Sequence, residues 1–160
     1  MVPRTLARLA SLAVLLTAAA ALLVLSHVSL RAASDPWTPA QTVQPADLLK
    51  ELSTPKSAPT VVFVGFNRLY TAGHIHGAQN HGMAGNEAGL QELKAWASSL
   101  PRSTKLVVYC GCCPMDRCPN LRPAFIALHD LGFTKLRVLL LPTDFAVDWA
   151  AKGYPYDSGQ

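Results

Sequence analysis

Residues 105–120 of this 160-residue chain have the sequence Lys-Leu-Val-Val-Tyr-Cys-Gly-Cys-Cys-Pro-Met-Asp-Arg-Cys-Pro-Asn. The apolar run 106–109 predicts a short buried strand that ends at Cys110. After a tight loop, Asn120 is a plausible N-cap for a helix predicted over 120–131, which Gly132 ends. In parallel α/β sheets the functional site lies at the carboxyl ends of the strands. We therefore expect Cys110 to lie at that edge of a sheet.

The chain on either side of this stretch alternates helices and strands from residue 45 onward. Strands are predicted at 60–66 and 136–141, because both runs are continuously apolar and rich in β-formers. Helices are predicted at 45–52 and 87–100, and one or two helical turns at 145–152. This alternation predicts a parallel α/β sheet in one domain over residues 45–156.

The first 33 residues have the pattern of an export signal. Arg4 and Arg8 precede a long apolar run, and no further charged residue occurs before Arg31. This pattern fits a cleaved signal peptide or an uncleaved anchor over residues 9–30, with the domain outside the cytoplasm, periplasmic or secreted. Residues 34–44 are predicted to be a linker.

The charge balance gives no reason to expect a nucleic-acid partner. The net charge is +4, but of the 14 Lys and Arg residues three lie before residue 35, which leaves 11 against 10 acidic residues. The remaining part is therefore close to neutral. A membrane contact is expected only through the N-terminal segment, if that segment is not cleaved.

All four cysteines of the chain fall within residues 110–118, which we call the cysteine loop. An exported protein normally uses paired cysteines to connect distant segments. A disulfide within this loop would close only a very short ring and would stabilise the fold little. The clustering therefore indicates chemistry rather than architecture.

Several sequence landmarks, in order, resemble the rhodanese domain family. The segment 70–78, Tyr-Thr-Ala-Gly-His-Ile-His-Gly-Ala, resembles the signature that follows an early strand in that family. The strand with Cys110 resembles the active-site strand and its nucleophile, and Trp149 with the segment 153–155 resembles the C-terminal half. The resemblance covers about residues 40–156. It implies a parallel five-stranded α/β sheet flanked by helices on both faces, and a cysteine that carries a persulfide sulfur.

The chain departs from the family pattern at several positions. Segment 64–66 is Val-Gly-Phe where an Asp-x-Arg is usual, His76 stands where proline is common, and the loop after Cys110 is longer. The resemblance therefore supports the fold more firmly than it supports ordinary thiosulfate activity.

The cysteine loop provides a candidate catalytic site. Cys110 is the predicted nucleophile, with Arg117 as a nearby cation. The N–H groups of the loop and the positive end of the following helix are expected to lower the pKa of the Cys110 thiol. The residues expected to form this cradle are Gly111, Cys112, Cys113, Pro114, Met115, Asp116 and Cys118. The resemblance implies that His74 has a structural role beside the site.

The three additional cysteines allow three interpretations. One of Cys112, Cys113 and Cys118 resolves or relays a persulfide, and Cys110 to Cys113 has dithiol spacing. Alternatively the cluster binds a soft metal such as copper(I) or zinc, although four ligands this close would strain a tetrahedral zinc site. As a third possibility Cys112, with Arg117 five residues later, is an alternative nucleophile.

The leading functional hypothesis is an exported sulfurtransferase or thiol–persulfide relay that uses a small-molecule or protein sulfur donor and acceptor. We expect no cofactor and no resident metal for this activity. The alternatives are a non-enzymatic soft-metal or dithiol redox module on the same scaffold, and a phosphatase or arsenate reductase of the same fold.

Overall fold

The computed structural model describes residues 35–159. The predicted signal or anchor lies outside the described residues. Within the described part of the chain, no helix combines the length and apolar character needed to cross a bilayer. Export therefore stays a prediction.

The domain contains a five-stranded parallel sheet and a small antiparallel pair. The strands in chain order are β1 Thr42–Val43, β2 Thr60–Phe63, β3 His74–Ile75, β4 Gln79–Asn80, β5 Lys105–Tyr109, β6 Lys135–Leu139 and β7 Tyr156–Asp157. The large sheet has the order β1-β6-β5-β2-β4, and all of its pairings are parallel. β3 and β7 pair antiparallel. The predicted parallel α/β architecture is confirmed.

Helices cover both faces of the large sheet. They are α1 Pro45–Leu52, α2 Asn67–Ala72, α3 Glu87–Ser98, α4 Leu121–Asp130 and α5 Phe145–Asp148. A 3-10 turn, Met115–Arg117, lies inside the cysteine loop. The helix predicted at 45–52 is observed with the same bounds as α1. The strand predicted at 60–66 ends earlier, at Phe63, because the chain turns there toward α2.

Alternate residues of the central strands supply two separate apolar cores. Val62 and Val108 face one core, together with residues of α3 and α4. Their neighbours Val61 and Val107 face the other core, which also contains Trp149. Because a strand buried on both faces carries apolar residues at successive positions, these strands appear as continuous apolar runs in the sequence.

The segment predicted as a linker, residues 34–44, is instead part of the fold from Trp37 onward. Thr42 and Val43 pair with Val138 and Leu139 as the edge strand β1. Trp37 is buried, and its ring meets Phe125 edge-on with centroids 5.5 Å apart. The linker prediction failed because a two-residue strand is too short to show a periodic pattern.

Candidate functional site

The cysteine loop starts where β5 ends, at the carboxyl edge of the parallel sheet. Tyr109 is the last residue of β5, and Cys110 follows it. Val64, at the end of the neighbouring strand, donates its N–H to the Tyr109 carbonyl oxygen at 2.9 Å. The register of the sheet therefore places Cys110 at the strand end where the sequence predicted it.

Two glycines allow the chain to pass closely around Cys110. A Cβ atom on Gly65 would lie 2.8 Å from the Cys110 Sγ atom, too close for a real contact. Gly111 has φ +70° and lies against Phe145, whose N–H donates to the Gly111 carbonyl oxygen at 3.1 Å. A side chain at either position would displace the start of the cysteine loop.

The four cysteines are free thiols, and three of their sulfurs lie together. The Cys110 Sγ donates to the Cys112 Sγ at 3.3 Å, and the Cys112 Sγ lies 4.0 Å from the Cys118 Sγ. All three sulfurs are within 4.8 Å of one another. We call Cys110, Cys112 and Cys118 the sulfur triangle. Cys113 lies outside it, although its Sγ is 3.0 Å from that of Cys112.

Exposure separates the members of the sulfur triangle. Cys110 and Cys118 are each only 3% exposed, whereas Cys112 is half-buried. Cys110 and Cys112 both line an open pocket of about 390 Å³. Its other walls include Phe63, Leu69 and Phe145, and its only charged lining residue among those described is Asp144. A reagent in this pocket therefore meets the Cys110–Cys112 pair in mostly apolar surroundings.

The N–H groups at the start of α4 face Cys118 rather than Cys110, which differs from the prediction. Hydrogen bonding by the Cys110 thiol, and by the backbone N–H groups of Asn120 and Leu121, lowers the pKa of Cys118 to about 6. The Cys118 sulfur beside it, together with burial, raises the pKa of Cys110. The lowering of the thiol pKa that was expected for Cys110 is thus found at Cys118, the last cysteine of the loop.

Other predicted features of the cradle also differ. The N–H of Arg117 donates to Pro114 O and that of Cys118 to Met115 O, so these groups are used within the loop. The Arg117 side chain is exposed and makes no hydrogen bond or ion pair with another residue in 35–159. Desolvation raises the pKa of Cys113 to about 12. Among the described residues, the Arg117 side chain therefore makes no hydrogen bond to the sulfurs.

Asn120 is a site residue that the sequence analysis did not identify. Its side chain is fully buried and does not cap α4, although it occupies the N-cap position. Instead its Nδ2 donates to the Cys110 Sγ at 3.3 Å, and its Oδ1 accepts from the Gly85 N–H at 2.8 Å. The amide thereby holds Cys110 against the loop that precedes α3.

His74 lies behind the site rather than in it. Its Nδ1 is hydrogen-bonded to the Tyr70 carbonyl oxygen at 2.8 Å, and its ring stacks on the Tyr70 ring. The hydrogen bond gives His74 a structural role. It fixes the chain between α2 and β3.

Comparison with known proteins supports the same fold. No protein-family model and no curated protein matches the chain. Among solved structures, the rhodanese-like domain of the Alr3790 protein from Anabaena is similar, with 26% identity and a TM-score of 0.54 over 74% of this chain and 79% of that one. The BH2092 protein from Bacillus halodurans has 18% identity and a TM-score of 0.57 over 73% and 76% of the two chains. The second match shows the fold alone.

These matches, like the five-stranded parallel sheet of the described residues, indicate a rhodanese-like α/β fold. The similarity to the Anabaena domain supports the assignment of this chain to the rhodanese-like domain family.

Proposed function

We propose that this domain transfers sulfane sulfur as a thiol–persulfide relay, with Cys110 as the sulfur carrier and Cys112 as its partner. The single observation that carries the proposal is that the two sulfurs lie 3.3 Å apart at the wall of the same pocket. This places two thiols within reach of one bound donor.

The arrangement supports a balanced transfer step from an organic persulfide, R–S–SH. The Cys110 thiol attacks the outer sulfur of the donor and passes its proton to the Cys118 thiolate, which lies within 4.8 Å and whose pKa is lowered by hydrogen bonding from Cys110. The products are Cys110–S–SH, the Cys118 thiol and the leaving thiolate R–S⁻. The Asn120 amide, which donates to the Cys110 sulfur, stabilises the negative charge that develops on that sulfur.

The bound sulfur has two exits. An acceptor thiolate can attack the outer sulfur and carry it away, which regenerates the Cys110 thiolate. Alternatively the Cys112 thiol can attack the inner sulfur, which forms a Cys110–Cys112 disulfide and releases hydrogen sulfide. The second exit would make the pair a dithiol redox site, as the sequence also allowed.

The pocket favours an organic persulfide over thiosulfate. Within the described residues no Lys or Arg lines it, and Asp144 contributes a negative charge. A dianion such as thiosulfate, phosphate or arsenate would therefore lack a cationic partner there. The same argument disfavours the phosphatase and arsenate reductase alternative.

Sulfur transfer assays with matched variants test this proposal. Metal-free reduced protein should move sulfur from an uncharged alkyl persulfide to an acceptor thiol, and more slowly from thiosulfate. Cys110→Ser should abolish the transfer, while Cys113→Ser, which removes a thiol outside the sulfur triangle, should retain it. Undiminished transfer by Cys110→Ser, with circular dichroism showing a folded protein, would contradict the assignment.

A further inference from the structure

The sulfur triangle has the dimensions of a metal site. Its edges are 3.3 Å between Cys110 and Cys112 and 4.0 Å between Cys112 and Cys118, with the third edge within 4.8 Å. For metal–sulfur bonds of about 2.3 Å, planar trigonal coordination requires sulfur–sulfur distances of about 4 Å. One ion could therefore reach all three sulfurs with only small side-chain movements.

The surroundings of the triangle favour a soft ion. A cavity of about 10 Å³ lies beside it, which is room for about one atom. Its lining side chains are sulfur groups or hydrocarbon, without a side-chain oxygen or nitrogen: Cys110, Cys113, Met115, Cys118, Leu121, Leu139 and Leu141, with Gly111. Hard cations such as Mg²⁺ and Ca²⁺ require oxygen ligands. The site thus excludes them on the chemistry of its donors.

One of the sulfurs already accepts a hydrogen bond from a neighbouring side chain. The Asn120 Nδ2 donates to the Cys110 Sγ at 3.3 Å. Metal-binding side chains are commonly held in place by such outer hydrogen bonds, which orient the ligand and adjust its basicity.

We propose that Cys110, Cys112 and Cys118 bind a single copper(I) ion in three-coordinate sulfur geometry. Structural zinc sites are almost always tetrahedral with four ligands, whereas only three sulfurs meet here. Thiolates are soft ligands that select copper(I). This site goes beyond the proposed sulfur transfer and departs from the expectation that no metal is resident. Binding would withdraw Cys110 and Cys112 from sulfur chemistry, so copper and persulfide would compete for one pair of sulfurs.

Copper(I) itself is the probe in the test. Reduced full-length protein is titrated anaerobically with copper(I) against a chromophoric chelator. We expect one ion per chain. Cys112→Ser should lower the affinity more than about tenfold, since loss of outer-shell partners alone costs that much. Cys113→Ser should lower the affinity less than Cys112→Ser does, because the Cys113 sulfur lies outside the sulfur triangle although it lines the adjacent cavity.

X-ray absorption of the loaded protein provides a readout independent of affinity. It should show a first shell of three sulfurs and no nitrogen or oxygen. A first shell with nitrogen or oxygen ligands, full-affinity binding by Cys112→Ser, more than one ion per chain, or displacement of copper(I) by equimolar zinc would each overturn the proposal.

Circular dichroism of the variants and a sulfur transfer assay distinguish loss of the metal site from unfolding and from loss of sulfur transfer. Cys118 is buried, so Cys118→Ser could unfold the domain, whereas Cys112 is half-buried and its variant should keep the native circular dichroism. Sulfur transfer is assayed on metal-free protein. If the protein does not bind copper(I) but the metal-free protein still transfers sulfur, the metal site is rejected and the proposed sulfur transfer is not.

Discussion

The Asn120 side chain joins Cys110 to the loop before α3 through both ends of one amide. Its Nδ2 donates to the Cys110 Sγ at 3.3 Å, while its Oδ1 accepts from the Gly85 N–H at 2.8 Å. A Cβ atom on Gly85 would lie 2.7 Å from that Oδ1, so Gly85 also leaves room for the amide. The sulfur is thus positioned by a side chain from the helix start rather than by a charged residue.

Replacing the amide separates its two functions. Asn120→Asp keeps an acceptor for the Gly85 N–H but removes the donor to Cys110 and adds negative charge. We expect Cys110 to react with iodoacetamide about tenfold more slowly, because the hydrogen bond that stabilises negative charge on the reacting sulfur is lost. Asn120→Ala also leaves the Gly85 N–H unpaired and should cost about 1–3 kcal/mol of stability. Unaltered Cys110 alkylation in Asn120→Asp would remove this role for Asn120.

Gly65 should not tolerate a side chain. A Cβ atom there would lie 2.8 Å from both the Cys110 Sγ and the Phe63 Cζ. Gly65→Ala should therefore displace the sulfur or the ring, at a cost of about 1–3 kcal/mol typical of overpacking. Denaturant unfolding measures the stability, and transfer from an alkyl persulfide measures the effect on Cys110. Wild-type stability and wild-type transfer activity in Gly65→Ala would contradict this prediction, because they would show that the end of the strand accommodates the methyl group.

The ion pair between Glu51 and Arg137 should make stability depend on acid pH. The two guanidinium–carboxylate hydrogen bonds measure 2.8 and 2.5 Å, and the hydrogen bond from Arg137 lowers the Glu51 pKa below 4.5. Because the folded-state pKa is lowered, the stabilisation is complete above the unfolded value and disappears as pH falls through the folded value.

Glu51→Gln should therefore cost about 0.5–1 kcal/mol near neutral pH and less near pH 3. Urea unfolding at both pH values measures the difference. Asp47→Asn, in the same helix, removes an exposed pair with Lys50 and serves as the control with a smaller effect. A Glu51→Gln deficit that is equally large near pH 3 would mean that packing rather than charge is responsible.

Trp37 should contribute to the stability of the domain although it precedes the predicted boundary. It is 8% exposed, packs edge-on against Phe125, and lies under the Arg122 guanidinium, 5.9 Å from the ring centroid. Trp37→Ala should cost about 3–5 kcal/mol, and Trp37→Phe much less. An unchanged midpoint for Trp37→Ala in denaturant unfolding would restore the view of this segment as a linker.

Sequence patterns predicted the sheet because its strands are buried on both faces. The runs at 60–66 and 106–109 are continuously apolar, and a strand end followed by a cysteine, a loop and a helix identifies the position of Cys110. β1, β3, β4 and β7 were missed because two residues cannot show a period.

The details of the site depended on contacts between distant segments. Asn120 matched an N-cap by its type and position, but its partners are Cys110 and Gly85, which no local rule connects. The sequence showed that all four cysteines lie in the loop. It did not show which of them the N–H groups of α4 would stabilise. That choice follows from the 3-10 turn at Met115–Arg117, which brings Cys118 back toward Cys110.

The most direct test of the account locates a transferred sulfur atom on the protein. Metal-free reduced protein is treated with an uncharged alkyl persulfide, its thiols and persulfides are blocked, and peptides of the cysteine loop are sequenced by mass spectrometry. The account predicts the mass of one additional sulfur atom on Cys110 soon after mixing, and a Cys110–Cys112 disulfide after prolonged incubation without an acceptor. Sulfur found only on Cys113 or Cys118, or on no residue of the loop, would contradict it.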